Sequence, residues 1–257
     1  MMAKFRKLIA AVATLLAVGS AQALTVAGVS WDPNSIFDFS STDSMIETSV
    51  GTTPSVGDQI NGYALINTVN GTGAGTFCAS GCELTYVFSG YTITNISPTG
   101  LTWSGGLINI YVDATPDYNS TLQSTAADGL LFLQLSGHLH IDLATGLLGT
   151  LHSDPTPASI GAVAGDGRGF LDVTGGLAAA YFDTNTFLTS NGFADFQFTS
   201  SFQLIPGGCF TSDDQREYCL FGSNDLQGDS VAVPEPTSIA LLGLALIGAG
   251  VSRRRRT

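Results

Sequence analysis

The sequence predicts an all-β body, an antiparallel β-sandwich or jelly-roll-like domain, carried between two short hydrophobic ends. Three observations point there. Apolar residues recur at every second position over long stretches, the period of a strand with one buried face and one wet face. Helical periodicity is scarce, and no strand–helix–strand rhythm is present. Turn-forming dipeptides break the chain at short intervals, among 31 glycines in 257 residues. With 44% hydrophobic and only 12% charged residues, the chain is not a disordered one.

The elements follow in order. Residues 59–69 form a candidate strand. Residues 83–96 and 101–113 are rich in Thr, Tyr, Ile and Val and partly apolar on both faces, as central strands of a sandwich are. From Leu131 to Leu143 the odd positions are all Leu, Ile or Gly, while Gln134, Ser136, His138, His140 and Asp142 hold even ones. The odd set is expected inside and most of the even set in water. Ala194, Phe196, Phe198, Ser200, Phe202 and Leu204 repeat the pattern against Asp195, Gln197, Thr199, Ser201 and Gln203. Asn70-Gly71, Asp128-Gly129 and Asp166-Gly167 read as turns, and Asp154-Pro155-Thr156-Pro157 as a loop. Residues 177–182 suffice for one helical turn.

The N-terminus has the three parts of a secretory signal. Lys4, Arg6 and Lys7 precede an apolar run at 8–18, and Ala21-Gln22-Ala23 supplies small side chains for cleavage after Ala23. Eleven helical residues reach about 17 Å, well short of a ~30 Å hydrocarbon core, so the segment reads as a cleaved signal delivered to the Sec machinery.

At the other end, Pro234-Glu235-Pro236 precedes an apolar and glycine-rich run at 239–251, and Arg253, Arg254, Arg255 and Arg256 follow. The prolines block a helix upstream, Thr237 can cap one beyond them, and the arginines hold the tip in the cytoplasm. This run is also too short for a comfortable permanent anchor. Triplet, small-residue apolar helix and arginine cluster, in that order, resemble a PEP-CTERM sorting signal. The resemblance implies a Gram-negative bacterium that exports exopolysaccharide, an exosortase that cuts near the triplet, and release of the body to the surface or matrix. Pro234, Glu235 and Pro236 would then be recognised residues rather than catalytic ones. The expected organisation is signal peptide 1–23, β-rich domain 24–226, linker 227–233 and sorting signal 234–257.

The body holds 20 acidic side chains against two arginines, Arg168 and Arg216, a formal charge of −18, and no lysine. Nucleic-acid binding needs cations to displace phosphate counterions, and that class is excluded. An exported body with four cysteines is expected to form disulfides. Cys78 with Cys82, and Cys209 with Cys219, are the favoured pairs, because each is local and spans turn-forming residues; a four-cysteine zinc site lacks the spacing.

Three site readings follow. If Leu143 pairs with Leu147 across an Ala144-Thr145-Gly146 turn, His138 lies opposite His152, with His140 two residues along, a possible zinc or copper site. Seventeen of the acids are Asp, many in turns such as Asp213-Asp214, Asn224-Asp225 and Gly228-Asp229, which suits weak extracellular calcium binding. Trp31, Trp103, Tyr91, Tyr111 and Tyr118 could offer ring faces to sugar, although their spacing fits sheet packing too. No nucleophile-elbow or zinc-protease motif is present, so no enzyme is expected. The segments at 56–58, 81–86 and 175–179, with Asp195-Phe196, are similar to exported PEP-CTERM proteins, some associated with flocculation. The expected function is a secreted surface or matrix protein of floc or biofilm, meeting anionic exopolysaccharide through its acidic shell and divalent cations. The alternatives are a carbohydrate-binding module and, behind it, a secreted hydrolase.

Overall fold

The computed structural model describes residues 23–48, 54–98, 100–155 and 164–232. Ala21 and the sorting residues Pro234, Glu235, Pro236 and Arg253 to Arg256 lie outside the described residues, whereas Ala23 begins them. The body is all-β and antiparallel, as expected, and its sheet closes on itself.

The chain opens with a small hairpin, β1 (Leu24–Val26) and β2 (Val29–Trp31). The barrel begins at β3 (Phe37–Thr48), followed by β4 (Gln59–Leu65). Short strands β5 (Thr68–Val69) and β6 (Thr72–Gly73) and a helical turn α1 (Ala74–Phe77) lead to β7 (Glu83–Ser97) and β8 (Gly100–Asp113). Next come β9 (Leu130–His138), the two-residue strands β10 (His140–Ile141) and β11 (Leu148–Gly149), β12 (Leu151–Pro155) and β13 (Gly165–Gly175). A helical turn α2 (Ala179–Phe182) and the hairpin β14 (Phe187–Thr189) and β15 (Gly192–Ala194) precede β16 (Phe196–Leu204), β17 (Phe210–Thr211) and β18 (Glu217–Gly228). The last strand therefore takes in Gln227 and Gly228, which the sequence had placed in the linker.

Successive strands pair in order, β3 with β4, β7, β8, then β9 and β12, β13, β16 and β18. β18 then returns to β3, from Gly228 opposite Phe37 to Tyr218 opposite Glu47. Eight staves thus make an up-and-down barrel, and no strand edge is left along its main path. The sandwich or jelly-roll expectation holds as an antiparallel β body; closure by next-neighbour pairing gives it the barrel form. Period-two patterning reports which face is buried, and it is the same for a sandwich and a barrel.

One stave is interrupted. β9 and β12 both lie between β8 and β13, end to end, with Ser136 opposite Leu107 and Asp172, and His152 opposite Thr102 and Arg168. Between them residues 139–150 leave the wall as the β10–β11 hairpin and fold back over its outer surface. This reverses one expectation. His138, His140 and Asp142 are buried, while Leu139, Ile141 and Leu143 are exposed, Leu143 at 98%. The even residues face the barrel's outer wall, which the hairpin covers, so the wet face became an interior one. The segment at 194–204 keeps its expected alternation in the middle, with Phe196 and Phe198 turned inward and Gln197 and Thr199 exposed. It departs from that pattern near its ends: Leu204 is exposed, and Asp195 is buried because its carboxylate accepts from the backbone N–H groups of Val173, Thr184 and Asn185.

Asn70-Gly71 forms the two-residue turn between β5 and β6, both residues at positive φ (51° and 70°), as a hairpin of that length needs. Asp166-Gly167 is no turn: it lies within β13, where Gly165, Gly167 and Gly169 alternate on the inward side.

The two ends of the barrel differ. At one, Trp31 stacks on Phe182 at 5.2 Å and meets Phe37 edge-on at 5.7 Å, and Phe39, Phe77 and Phe132 fill the space around them. This end is closed. The other half of the interior, at the ends of β3, β7, β12 and β16, is not filled.

Candidate functional site

The histidines are the first group to place. The hairpin β10–β11 pairs His140 with Gly149 and Ile141 with Leu148, one residue away from the register that would oppose His138 to His152. A one-residue slip is enough to break such a site. His138 turns instead to Asp172, 2.9 Å from Nδ1, and to Thr189, 2.9 Å from Nε2. His140 and His152 do meet, their rings perpendicular with centroids 4.9 Å apart. The structure therefore does not assemble the three-histidine zinc or copper site. It gives a buried histidine pair on the outer wall, with both ring nitrogens of His152 lacking a hydrogen-bond partner. Burial lowers the pKa of both His140 and His152, and both are neutral at pH 7.

Asp142 and Arg168 fasten the hairpin over this pair. The guanidinium reaches both Asp142 oxygens at 2.9 Å from Nε and Nη2, and also bonds Asp154. Burial pushes the Asp142 carboxyl up, but Arg168 and Thr145 outweigh it and hold the group well below the usual carboxylate range. The second body arginine, Arg216, bonds Glu47 at 3.1 Å and reaches Asp214 at 3.5 Å.

Both expected disulfides are present, Cys78–Cys82 at the closed end and Cys209–Cys219 at the open one. The second pins the loop after β16 to β18. The turn aspartates singled out for calcium do not converge. Asp213 accepts from the backbone N–H groups of Gln123 and Ser124, and Asp214 from the Tyr218 hydroxyl. A different group gathers at Glu83, Asp113 and Asp117, with ligand atoms within 4.8 Å of one another. There Glu83 already accepts from the backbone of Asp117 and Tyr118. The aromatic platform is also not formed: Trp31, Trp103 and Tyr91 are buried, and Trp103 donates to Ser153 at 3.1 Å.

One unassigned feature is the barrel interior. Its open half is a cavity of about 780 Å³. The walls carry Phe88, Tyr91, Trp103, Phe198 and Phe202, with aliphatic Ile46, Ile93 and Leu226 between them. Two local choices make the room. On β13 the cavity wall is Gly167, and β16 places Ser200 beside it, so between Phe198 and Phe202 no large side chain projects at that level. Eight-stranded barrels are just wide enough for side chains to fill, and a few small ones leave space for a ligand. Open at the rim, the cavity is accessible to water. The alternating Gly165-x-Gly-x-Gly169 run was the available sequence signal, but it carries weight only once the wall is known to close.

The rim is acidic. Glu47, Asp58 and Glu217 border the opening, and Arg216, beside them, is already shared by Glu47 and Asp214. Inside, polar groups mostly satisfy one another: Asn224 bonds Ser44 at 2.8 Å and also the Tyr86 hydroxyl. Tyr91 lines the cavity, and burial raises its pKa, so its phenol stays neutral there.

The body is thus a closed antiparallel barrel with a water-accessible apolar interior. Residues 232–256 match the PEP-CTERM protein-sorting motif, immediately after Val231, whose N–H bonds the Tyr181 carbonyl at the closed end. The motif marks the chain as an exosortase-processed, secreted surface protein. No curated protein and no solved structure matches the chain.

Proposed function

We infer that this is a non-catalytic surface or extracellular-matrix protein of a Gram-negative bacterium, contributing to the architecture of an exopolysaccharide floc or biofilm. The observation that carries the reading is the sorting motif at 232–256, joined directly to the closed end of the barrel. Trp31 near the start of the body and Ser230 and Val231 at its end meet at the closed end, so a body held through that end during export would present its mouth away from the membrane.

The composition of the body suits this setting. Lysine is absent, acids outnumber arginines ten to one, and both arginines are used in internal ion pairs. The remaining carboxylates repel anionic polysaccharide unless divalent cations bridge the two, a contact that supports adhesion without a fixed sugar site. Trp31 is packed in the closed end and Trp103 and Tyr91 face the barrel interior, so none of the three forms an exposed ring platform for a polysaccharide chain.

The test is a deletion strain complemented with the wild-type gene or with Arg253 to Arg256 changed to Ser. The wild-type gene should restore flocculation and release the body, while the arginine variant should leave the body uncut in the membrane. A deletion strain that flocculates normally would overturn the matrix role.

A further inference from the structure

We propose that the open half of the barrel is a binding site for a neutral, largely apolar small molecule, whose polar end stays at the mouth. The proposal stands independently of the matrix role. Volume sets the size of the guest: about 780 Å³ falls within the ~300–1,000 Å³ of ligand pockets. The walls set its chemistry. Phe88, Trp103, Phe198 and Phe202 offer ring faces and edges, which suit an aromatic or branched guest. Water held against such walls is poorly bonded, and its release favours an apolar occupant.

Charge narrows the class. Among the described residues no cationic side chain lining the cavity is free to neutralise an anion, because Arg216 at the rim is held by Glu47 and Asp214. An anion entering would meet Glu47, Asp58 and Glu217 first and then lose its hydration without a partner. Fatty-acid-like guests are therefore disfavoured. A neutral molecule with one acceptor can take the phenol of Tyr91, which lines the cavity.

The chain invests in keeping this space open. The glycine at 167 and the serine at 200 face each other across adjacent strands, and a Cβ on Gly167 would stand 2.5 Å from the Ser200 hydroxyl. The rim is braced by Cys209–Cys219 and by the Arg216–Glu47 pair.

Two matched fluorophores test the proposal on the exported protein: N-phenylnaphthylamine, which is neutral, and anilinonaphthalene sulfonate, which carries the same rings and one negative charge. The neutral probe should bind saturably, one molecule per chain, with a blue-shifted emission. The sulfonate should bind roughly tenfold more weakly or worse, since a buried unpaired charge is costly. Ser200→Phe and, separately, Gly167→Val should each weaken the neutral probe by roughly tenfold or more, with near-UV circular dichroism confirming a folded barrel. The wild-type comparison remains decisive if a variant misfolds. Absence of saturable binding, equal affinity for both probes, or full binding by a folded Ser200→Phe protein would each overturn the assignment.

Discussion

The indole N–H of Trp31 donates to the hydroxyl of Ser230 at 3.1 Å, across 199 residues of sequence. Trp31 ends the N-terminal hairpin and Ser230 follows the last barrel strand, so this bond clasps the two ends of the body over its closed base. Around it the indole stacks on Phe182 and packs edge-on against Phe37, Phe132 and Tyr181. Trp31→Ala should lower the unfolding free energy by about 3–5 kcal/mol, the usual loss for a buried large aromatic. Ser230→Ala should cost about 1–2 kcal/mol, because it strands a buried donor. Denaturant titrations of both variants check the order.

The clasp also constrains maturation. A cut after Ala23 leaves Leu24 to open β1, and a cut near the sorting triplet leaves Ser230 and Val231 in place. Intact-mass spectrometry of the released protein should therefore give a chain that begins at Leu24, ends after Val231, and weighs about four hydrogens less than its reduced form, for two disulfides. A mature chain ending before Ser230 would contradict a processed body that keeps its clasp.

Much of this barrel is readable from the sequence because strand patterning and turn chemistry are local. Residues 83–96 and 101–113 differ from β7 and β8 by one residue at one end, and both cysteine pairs span short loops. What was not readable depends on non-local pairing. Whether β18 meets β3 is invisible in either strand alone, and so is the cavity that closure encloses. His138, His140 and Asp142 look like a solvent face until the β10–β11 hairpin is known to lie on the outer wall. The one-residue register of that hairpin then decides which histidines meet.

The buried histidine pair makes the outer hairpin acid-sensitive. Burial lowers the pKa of His140 and His152 below 6.5, so under mildly acidic conditions the unfolded chain binds more protons than the folded one. Stability should be complete above about pH 6.5 and fall as pH drops below it. His152→Phe should flatten this part of the profile, measured as melting temperature between pH 7 and 5. Arg168→Gln should destabilise at every pH in that range, by about 2 kcal/mol, because it removes the charged bonds to buried Asp142.

Asp225 predicts the opposite slope. One of its carboxylate oxygens is buried without a partner, and burial, reinforced by the neighbouring Asp38, pushes its pKa up to about 6. Between about pH 4, near the value in an unfolded chain, and pH 6 the folded protein binds the extra proton. Its contribution to stability is therefore full below pH 4 and lost as the pH rises through 6. Asp225→Asn removes a carboxylate that is charged and poorly solvated at neutral pH. The variant should melt several degrees above wild type at pH 7, with the gap closing through pH 4 and gone below it, where the wild-type side chain is protonated in both states. Because His140 and His152 act in the other direction over part of this range, the comparison must be made between variant and wild type at each pH. An Asn variant that is no more stable at pH 7 than at pH 4, relative to wild type, would show that Asp225 is ionised without penalty in the folded barrel.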